Sequence, residues 1–192
     1  MLTSTPSLVG FASLVTGAAV VAIGLATTLA AAGCGSAKRP DGGTGLLAVG
    51  SATPDLQGSD QHGAVQSLAA ERGHAVVVYF YPKDATPGCT KEACAFRDAW
   101  DRYKAARVQV FGVSSDDVAS HANFAKEQKL PFPLVSDTSH TWATAFGVPT
   151  TLGMTKRVTF LLDKDGKVAK VYPDVDPGVH ATAVLADAKA LP

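Results

Sequence analysis

The sequence predicts an α/β fold, a three-layer sandwich around a central mixed β-sheet, and three observations carry that expectation. Strand-like and helix-like segments alternate along most of the chain. The run Ala75 to Tyr81 (A-V-V-V-Y-F-Y) is β-branched and aromatic without polar alternation, as a central strand covered on both faces requires. Val158 to Leu162 and Val168 to Tyr172 flank D-K-D-G, an Asp-Gly turn signal, so these two strands form an antiparallel hairpin.

Taken in order, the chain opens on a continuous apolar run from about Leu8 to Ala32, and no Asp, Glu, Lys or Arg precedes Lys38. The run ends in Gly33-Cys34-Gly35-Ser36. Small residues before a cysteine, after an apolar segment, resemble the lipobox of a bacterial lipoprotein signal peptide. That resemblance implies cleavage before Cys34, lipid on its thiol, and a domain held at a membrane on the extracytoplasmic or periplasmic side. The competing reading is an uncleaved anchor, because ~20 apolar residues span a bilayer. Lys38 and Arg39 then favour a cytoplasmic C-terminal side. Either way residues 1–34 are set apart from the fold. Residues 35–48, rich in glycine and without periodicity, read as a flexible tether. The folded domain is expected over 49–192, within the usual domain size.

Inside the domain the strand at 75–81 is followed by a helix from Pro87 to about Ala105 and a strand from Arg107 to Val113. A second helix is expected over Asp116 to Lys129 with Ser114 or Ser115 as its N-cap. A short strand, Phe132 to Ser136, follows the Pro131 break, then a short helix from Ser139 to Phe146 stopped by Gly147. After the hairpin, Val179 to Leu191 closes the chain as a helix. No internal repeat is present.

Composition narrows the function. The formal net charge is zero and no basic block occurs, which argues against a nucleic-acid partner. Three cysteines are too few for a disulfide scaffold, and the odd count asks for separate roles. The five histidines, at 62, 74, 121, 140 and 180, include no pair at ligand spacing, so no metal is expected. Asp163, Asp165 and Gly166 read as a turn and not as a calcium loop. Trp100 and Trp142 read as core or groove aromatics. No nucleotide-binding glycine loop occurs, and no cofactor is expected.

Chemistry concentrates between Tyr79 and Trp100. A strand breaks at Pro82, turns, and restarts as a helix with Thr86 as N-cap and Pro87 in the first helical position. Cys89 then lies in the first turn, where free backbone N–H groups and the helix dipole favour an anion, and a solvent-facing turn is expected there. A cysteine is nucleophilic only as thiolate. Cys94 follows five residues later. On an intact helix that offset separates the pair by ~8–9 Å, whereas a disulfide needs Cα atoms within roughly 7 Å. Bridging therefore requires the first turns to unwind, which Gly88 eases. The spacing is not Cys-x-x-Cys, so a thioredoxin-type oxidoreductase is disfavoured.

Residues 82–89, P-K-D-A-T-P-G-C, match the peroxiredoxin pattern P-x-x-x-T-x-x-C. The longer run T-P-G-C-T-K-E-A-C-A-F-R-D resembles the bacterioferritin comigratory protein, or peroxiredoxin Q, subfamily. So do T-P-D-L at 53–56, F-P-L-V-S-D at 132–137, A-F-G-V at 145–148 and R-V-T-F-L-L-D-K-D-G-K-V at 157–168. The resemblance implies a thioredoxin-like fold, a monomer, and reduction of hydrogen peroxide and organic hydroperoxides with a thioredoxin-like reductant. It implies that Cys89 is the peroxidatic cysteine and Cys94 the resolving one. It further implies that Pro82 shields the thiolate and that Thr86 hydrogen-bonds peroxide and sulfur. Arg157 is implied to stabilise negative charge on the sulfur and on the leaving oxygen, with Glu92 positioning an arginine. The residues by themselves leave a second class open, a redox sensor or binding module switched by a Cys89–Cys94 disulfide.

Overall fold

The computed structural model describes residues 38–192. The apolar run, Cys34 and the start of the tether lie outside them. Two short strands come first, β1 (Gln57–Ser59) and β2 (Val65–Ser67), paired antiparallel, followed by a 3-10 turn at Ala69–Glu71. The strand β3 (Ala75–Phe80) leads into the helices α1 (Pro87–Asp98) and α2 (Trp100–Ala105). Then come β4 (Val108–Ser114), α3 (Val118–Gln128), β5 (Leu134–Ser136) and α4 (Thr141–Phe146). A small hairpin, β6 (Thr150–Thr151) and β7 (Met154–Thr155), precedes β8 (Val158–Leu162), β9 (Val168–Tyr172) and the closing helix α5 (His180–Lys189).

The central sheet has five strands in the order β5-β4-β3-β8-β9. β3, β4 and β5 run parallel, and β8 pairs antiparallel with both β3 and β9, so the sheet is mixed. β3 is the central strand, and its alternating side chains feed two cores. Val77, Tyr79 and Tyr81 pack with Phe96, Tyr103, Phe124 and Leu185 from the helices on one face. Val76, Val78 and Phe80 pack with Trp142, Phe146, Phe160 and Leu47 on the other. Burial on both faces explains why the strand shows no polar alternation.

Several boundaries differ from the sequence expectation. The helix expected over 87–105 is broken at Ala99, whose φ −91°, ψ −2° separates α1 from α2. Arg107, expected in a strand, has φ +54° and ends the preceding turn, so β4 begins at Val108. The N-cap of α3 is Asp117, whose carboxylate accepts from the Ser120 N–H at 2.8 Å, while Ser114 is the last residue of β4. The two small hairpins carry no alternation and are too short to be read from pattern.

The described part of the tether is also different. Lys38 bridges Thr44, and the Arg39 guanidinium donates to the Gly45 carbonyl at 2.8 Å and the Leu46 carbonyl at 3.2 Å. Leu47 is buried and its N–H donates to the Phe146 carbonyl at 2.9 Å. Residues 38–48 are thus a folded turn docked on the domain, which extends the ordered unit ahead of the expected start at 49. One arginine meeting successive carbonyls supplies the order that composition alone does not suggest. No helix among the described residues is long and apolar enough to cross a membrane.

Candidate active site

The site is built where β3 ends. Phe80 pairs with Val158, so Arg157 leaves β8 beside the point where Tyr81 turns into the loop 82–86. Helix α1 restarts at Pro87, and Cys89 falls in its first turn. Thr86 occupies the N-cap position in extended conformation, but its hydroxyl donates to the Lys83 carbonyl at 3.0 Å and makes no capping bond. That bond closes the loop on itself and leaves the hydroxyl lone pairs free to accept. Pro82 is half-buried at the loop entrance.

Cys89 is 1% exposed, contrary to the solvent-facing turn expected from the two prolines. It belongs to the core cluster under α1, beside Tyr81 and Ala93. Burial of a cysteine is by itself unremarkable for a small apolar side chain. Here, however, the Arg157 Nη2 donates to the Cys89 Sγ at 3.2 Å. The guanidinium also lies against Gly88, where an added Cβ would stand 3.3 Å from Nη2. The glycine expected only to weaken the first turn also leaves room for the arginine.

Arg157 is held from its other side by Glu92, one turn along α1. Its Nη1 donates to the Glu92 Oε2. Glu92 is fully buried, and burial pushes its carboxyl up to about 7, with the Arg157 charge offsetting only part of the effect. For Arg157 burial works against the charge, but Glu92 and Cys89 outweigh it and hold the guanidinium above its ordinary range. The result is one cation shared between a carboxyl and a sulfur, in a place water does not reach freely.

The loop is pinned by residues that sequence reading left aside. The Asp84 carboxylate accepts from the Tyr81 hydroxyl at 2.8 Å, from the Ser120 hydroxyl at 2.8 Å and from His121 Nδ1 at 2.9 Å. Its own N–H donates to Asp116 Oδ2 at 2.9 Å. Burial raises the Asp84 carboxyl, but the His121 hydrogen bond and charge, with the two hydroxyls, win and hold it below its ordinary range. This anchor holds Ala85 at φ +56°, a left-handed conformation costly for a residue with a Cβ. The Thr155 hydroxyl adds a bond to the Tyr81 carbonyl at 2.7 Å. No local signal marks Asp84 and His121 as partners, because they lie 37 residues apart.

Cys94 lies on the same helix in a different setting. It is partly exposed, and its thiol donates to Gln128 Oε1 at 3.6 Å. Both cysteines are free, and α1 is unbroken between them. Of the nearby cations, Lys83 is exposed, Lys91 faces Asp176, and Arg97 stands beside Cys94 rather than Cys89. The structure therefore brings together Cys89, Arg157 and Glu92, places Thr86 and Pro82 on the adjoining loop, and keeps Cys94 apart.

Residues 49–171 match the AhpC/TSA family. The chloroplastic peroxiredoxin Q of Oryza sativa subsp. japonica is 48% identical over 130 residues, 67% of this chain and 60% of that protein. The chain thus spans about 60% of the length of the curated relatives it matches. Among solved structures, the peroxidoxin BcpB of Mycobacterium tuberculosis superposes with a TM-score of 0.71 at 37% identity, covering 76% of this chain and 99% of that one. A Xanthomonas campestris bacterioferritin comigratory protein, described for its alkyl peroxide reduction activity, gives 0.69 at 40% identity over 76% of this chain and 98% of its own. With the family match over residues 49–171 and these identities and coverages, this chain belongs to the AhpC/TSA family, in its peroxiredoxin Q and bacterioferritin comigratory protein branch.

Proposed function

We propose that this chain is a thiol-dependent peroxidase that reduces hydrogen peroxide and organic hydroperoxides. The observation that carries the reading is the Arg157 bond to the Cys89 sulfur at 3.2 Å, in the first turn of α1. A guanidinium and free helix N–H groups stabilise negative charge on the sulfur and on an oxygen leaving next to it. The Cys89 thiolate attacks one peroxide oxygen, the O–O bond breaks, and the departing alkoxide or hydroxide takes a proton to leave as alcohol or water. Cys89 is then a sulfenic acid. Attack by the Cys94 sulfur forms the S–S bond and releases water. A dithiol reductant of the thioredoxin class restores both thiols and is itself oxidised to a disulfide. Because α1 is intact in the reduced protein and Cys89 is buried, the middle step requires the first turns of α1 to open. The X. campestris relative's alkyl peroxide reduction supports the substrate class.

The test is peroxide consumption driven by a thioredoxin-like reductant. Cys89→Ser abolishes turnover, and an unaffected rate overturns the proposal. Cys94→Ser carries out one round of Cys89 oxidation and then stalls, since no second sulfur closes the cycle. Sustained thioredoxin-driven turnover in that variant removes Cys94 from its role.

We infer that the catalyst is held at a membrane through lipid on Cys34, on the extracytoplasmic side, as a monomer. The support is the apolar run ending in Gly33-Cys34 for the anchor, and the peroxiredoxin Q resemblance for the monomer. Mass spectrometry of the mature N-terminus decides the first point: a diacylglyceryl mass on Cys34 is expected, and an intact Met1 overturns it.

A further inference from the structure

Helix α3 touches α1 and its loop at both ends. At its start, Ser120 and His121 grip the Asp84 carboxylate, upstream of Cys89. At its end, Gln128 meets Cys94, downstream of Cys89. The two fastenings differ in kind. The first joins a buried carboxylate to the buried His121 and the partly buried Ser120; the second is an S–H···O bond at 3.6 Å on a half-exposed side chain that also has Arg97 beside it.

Gln128 itself is well fixed. It is the last residue of α3, and Lys129 follows at φ +53°, closing the helix with N–H bonds to Ala125 and Lys126. The Gln128 carbonyl, left without a helical partner, accepts from Arg97 Nη1 at 2.7 Å. Arg97 is held in turn by Asp98. The Gln128 backbone thus cannot drift, and its side-chain amide presents an acceptor to Cys94 from a rigid post.

We propose that Gln128 is a positioning residue that latches Cys94 in the reduced, folded α1, and so sets how fast Cys94 is released to meet the oxidised Cys89. This rests on the reading of Cys94 as the resolving cysteine. The release precedes any bond chemistry: the thiol gives up its hydrogen bond to the amide oxygen, α1 opens, and the sulfur then displaces water from the Cys89 sulfenic acid as above. A tighter latch lengthens the life of the sulfenic acid, and a second peroxide then oxidises it to the sulfinic acid. The latch therefore also sets sensitivity to inactivation by excess peroxide.

The experiment uses single-turnover oxidation of the reduced chain with stoichiometric peroxide, trapping free thiols by rapid alkylation. In the parent, a Cys89–Cys94 disulfide forms, and in Cys94→Ser it does not; failure of either result overturns the reading of Cys94 and the latch with it. Gln128→Met removes the acceptor at similar length. It forms the disulfide about fivefold faster, as expected for loss of one hydrogen bond that the open state lacks. It also needs a correspondingly higher peroxide concentration to accumulate sulfinic acid. The bimolecular oxidation of Cys89, which Gln128 does not touch, keeps the parent rate constant. Gln128→Glu retains an acceptor and closes the disulfide no faster than the parent. Equal closure rates in the parent and Gln128→Met overturn the proposal, as does slower closure in Gln128→Met. Parallel changes in both steps mark Gln128 as a purely structural residue and overturn it too.

Discussion

Two thiols share one helix and almost nothing else. Cys89 is buried, bonded to a guanidinium, and preceded by a loop pinned through a buried carboxylate. Cys94 is half-exposed and bonded to a neutral amide. The elements around them account for the contrast. Arg157 reaches Cys89 from the start of β8 in the sheet, whereas Cys94 meets Gln128 at the end of α3 and Arg97 of its own helix. In the proposed cycle, the sulfur that carries charge is placed where the fold is most constrained, and the sulfur that travels is placed where the cost of leaving is small.

The contrast can be broken most strongly at Arg157. Arg157→Leu removes the charge at Cys89 and leaves Glu92 buried beside no cation. We expect the bimolecular rate of Cys89 oxidation to fall by about 10²–10³-fold, the usual scale for losing one preorganised charge-stabilising donor. Stopped-flow oxidation with hydrogen peroxide measures it, while disulfide closure per sulfenic acid formed should change far less.

The anchor under the loop comes next. Asp84→Ala strips His121, Tyr81 and Ser120 of their shared acceptor in a buried place. Unfolding by urea should show a loss of about 3 kcal/mol, the scale for breaking a buried pair from one side. Oxidation of Cys89 should also slow in protein that is still folded, because Ala85 loses the support for its left-handed conformation. Unchanged stability would show that the hydrogen bonds to Asp84 add nothing net.

A smaller effect concerns Glu92 and pH. Its carboxyl is raised to about 7 in the folded chain from an ordinary value of 4.5, so the folded state holds a proton that the unfolded state has lost. Stability from this group is fully present below pH 4.5 and is lost as pH rises through about 7. His180 works in the opposite sense. Burial, and the Arg157 charge to a lesser degree, lower its imidazole from 6.5 to about 4, so its contribution is lost as pH falls from 6.5 toward 4. Glu92→Gln should remove the first slope and leave the second. The thermal stability of Glu92→Gln then rises between pH 5 and 6.5, where the two opposed slopes of the parent nearly cancel, and stays level from pH 6.5 to 7, where the parent falls.

Much of the chemistry was legible along the chain. The strand at 75–81, the break at Pro82 and the restart at Pro87 are local signals, and they place Cys89 at a helix start without any tertiary information. The five-residue offset to Cys94 likewise follows from helix geometry. The exposure of Cys89 did not follow, because prolines mark a turn and say nothing of what packs over it. The tether misled for a related reason: glycine-rich sequence indicates freedom, yet Arg39 removes it by binding carbonyls at Gly45 and Leu46. Asp84 and His121 were invisible as a pair, since each alone is an ordinary loop or helix residue.

What the sequence determined by itself is thus the order of elements, the position of both cysteines on one helix, and the need for that helix to open if the two sulfurs are to bridge. These depend on periodicity, turn chemistry and capping, which act over a few residues. Only the tertiary structure decided which charges face which sulfur. Arg157 reaches Cys89 across 68 positions because β8 inserts antiparallel beside β3 with Phe80 opposite Val158. Gln128 reaches Cys94 because α3 lies against α1. Strand order and helix packing are set by burial of the whole core at once, and no local stretch of the chain encodes them.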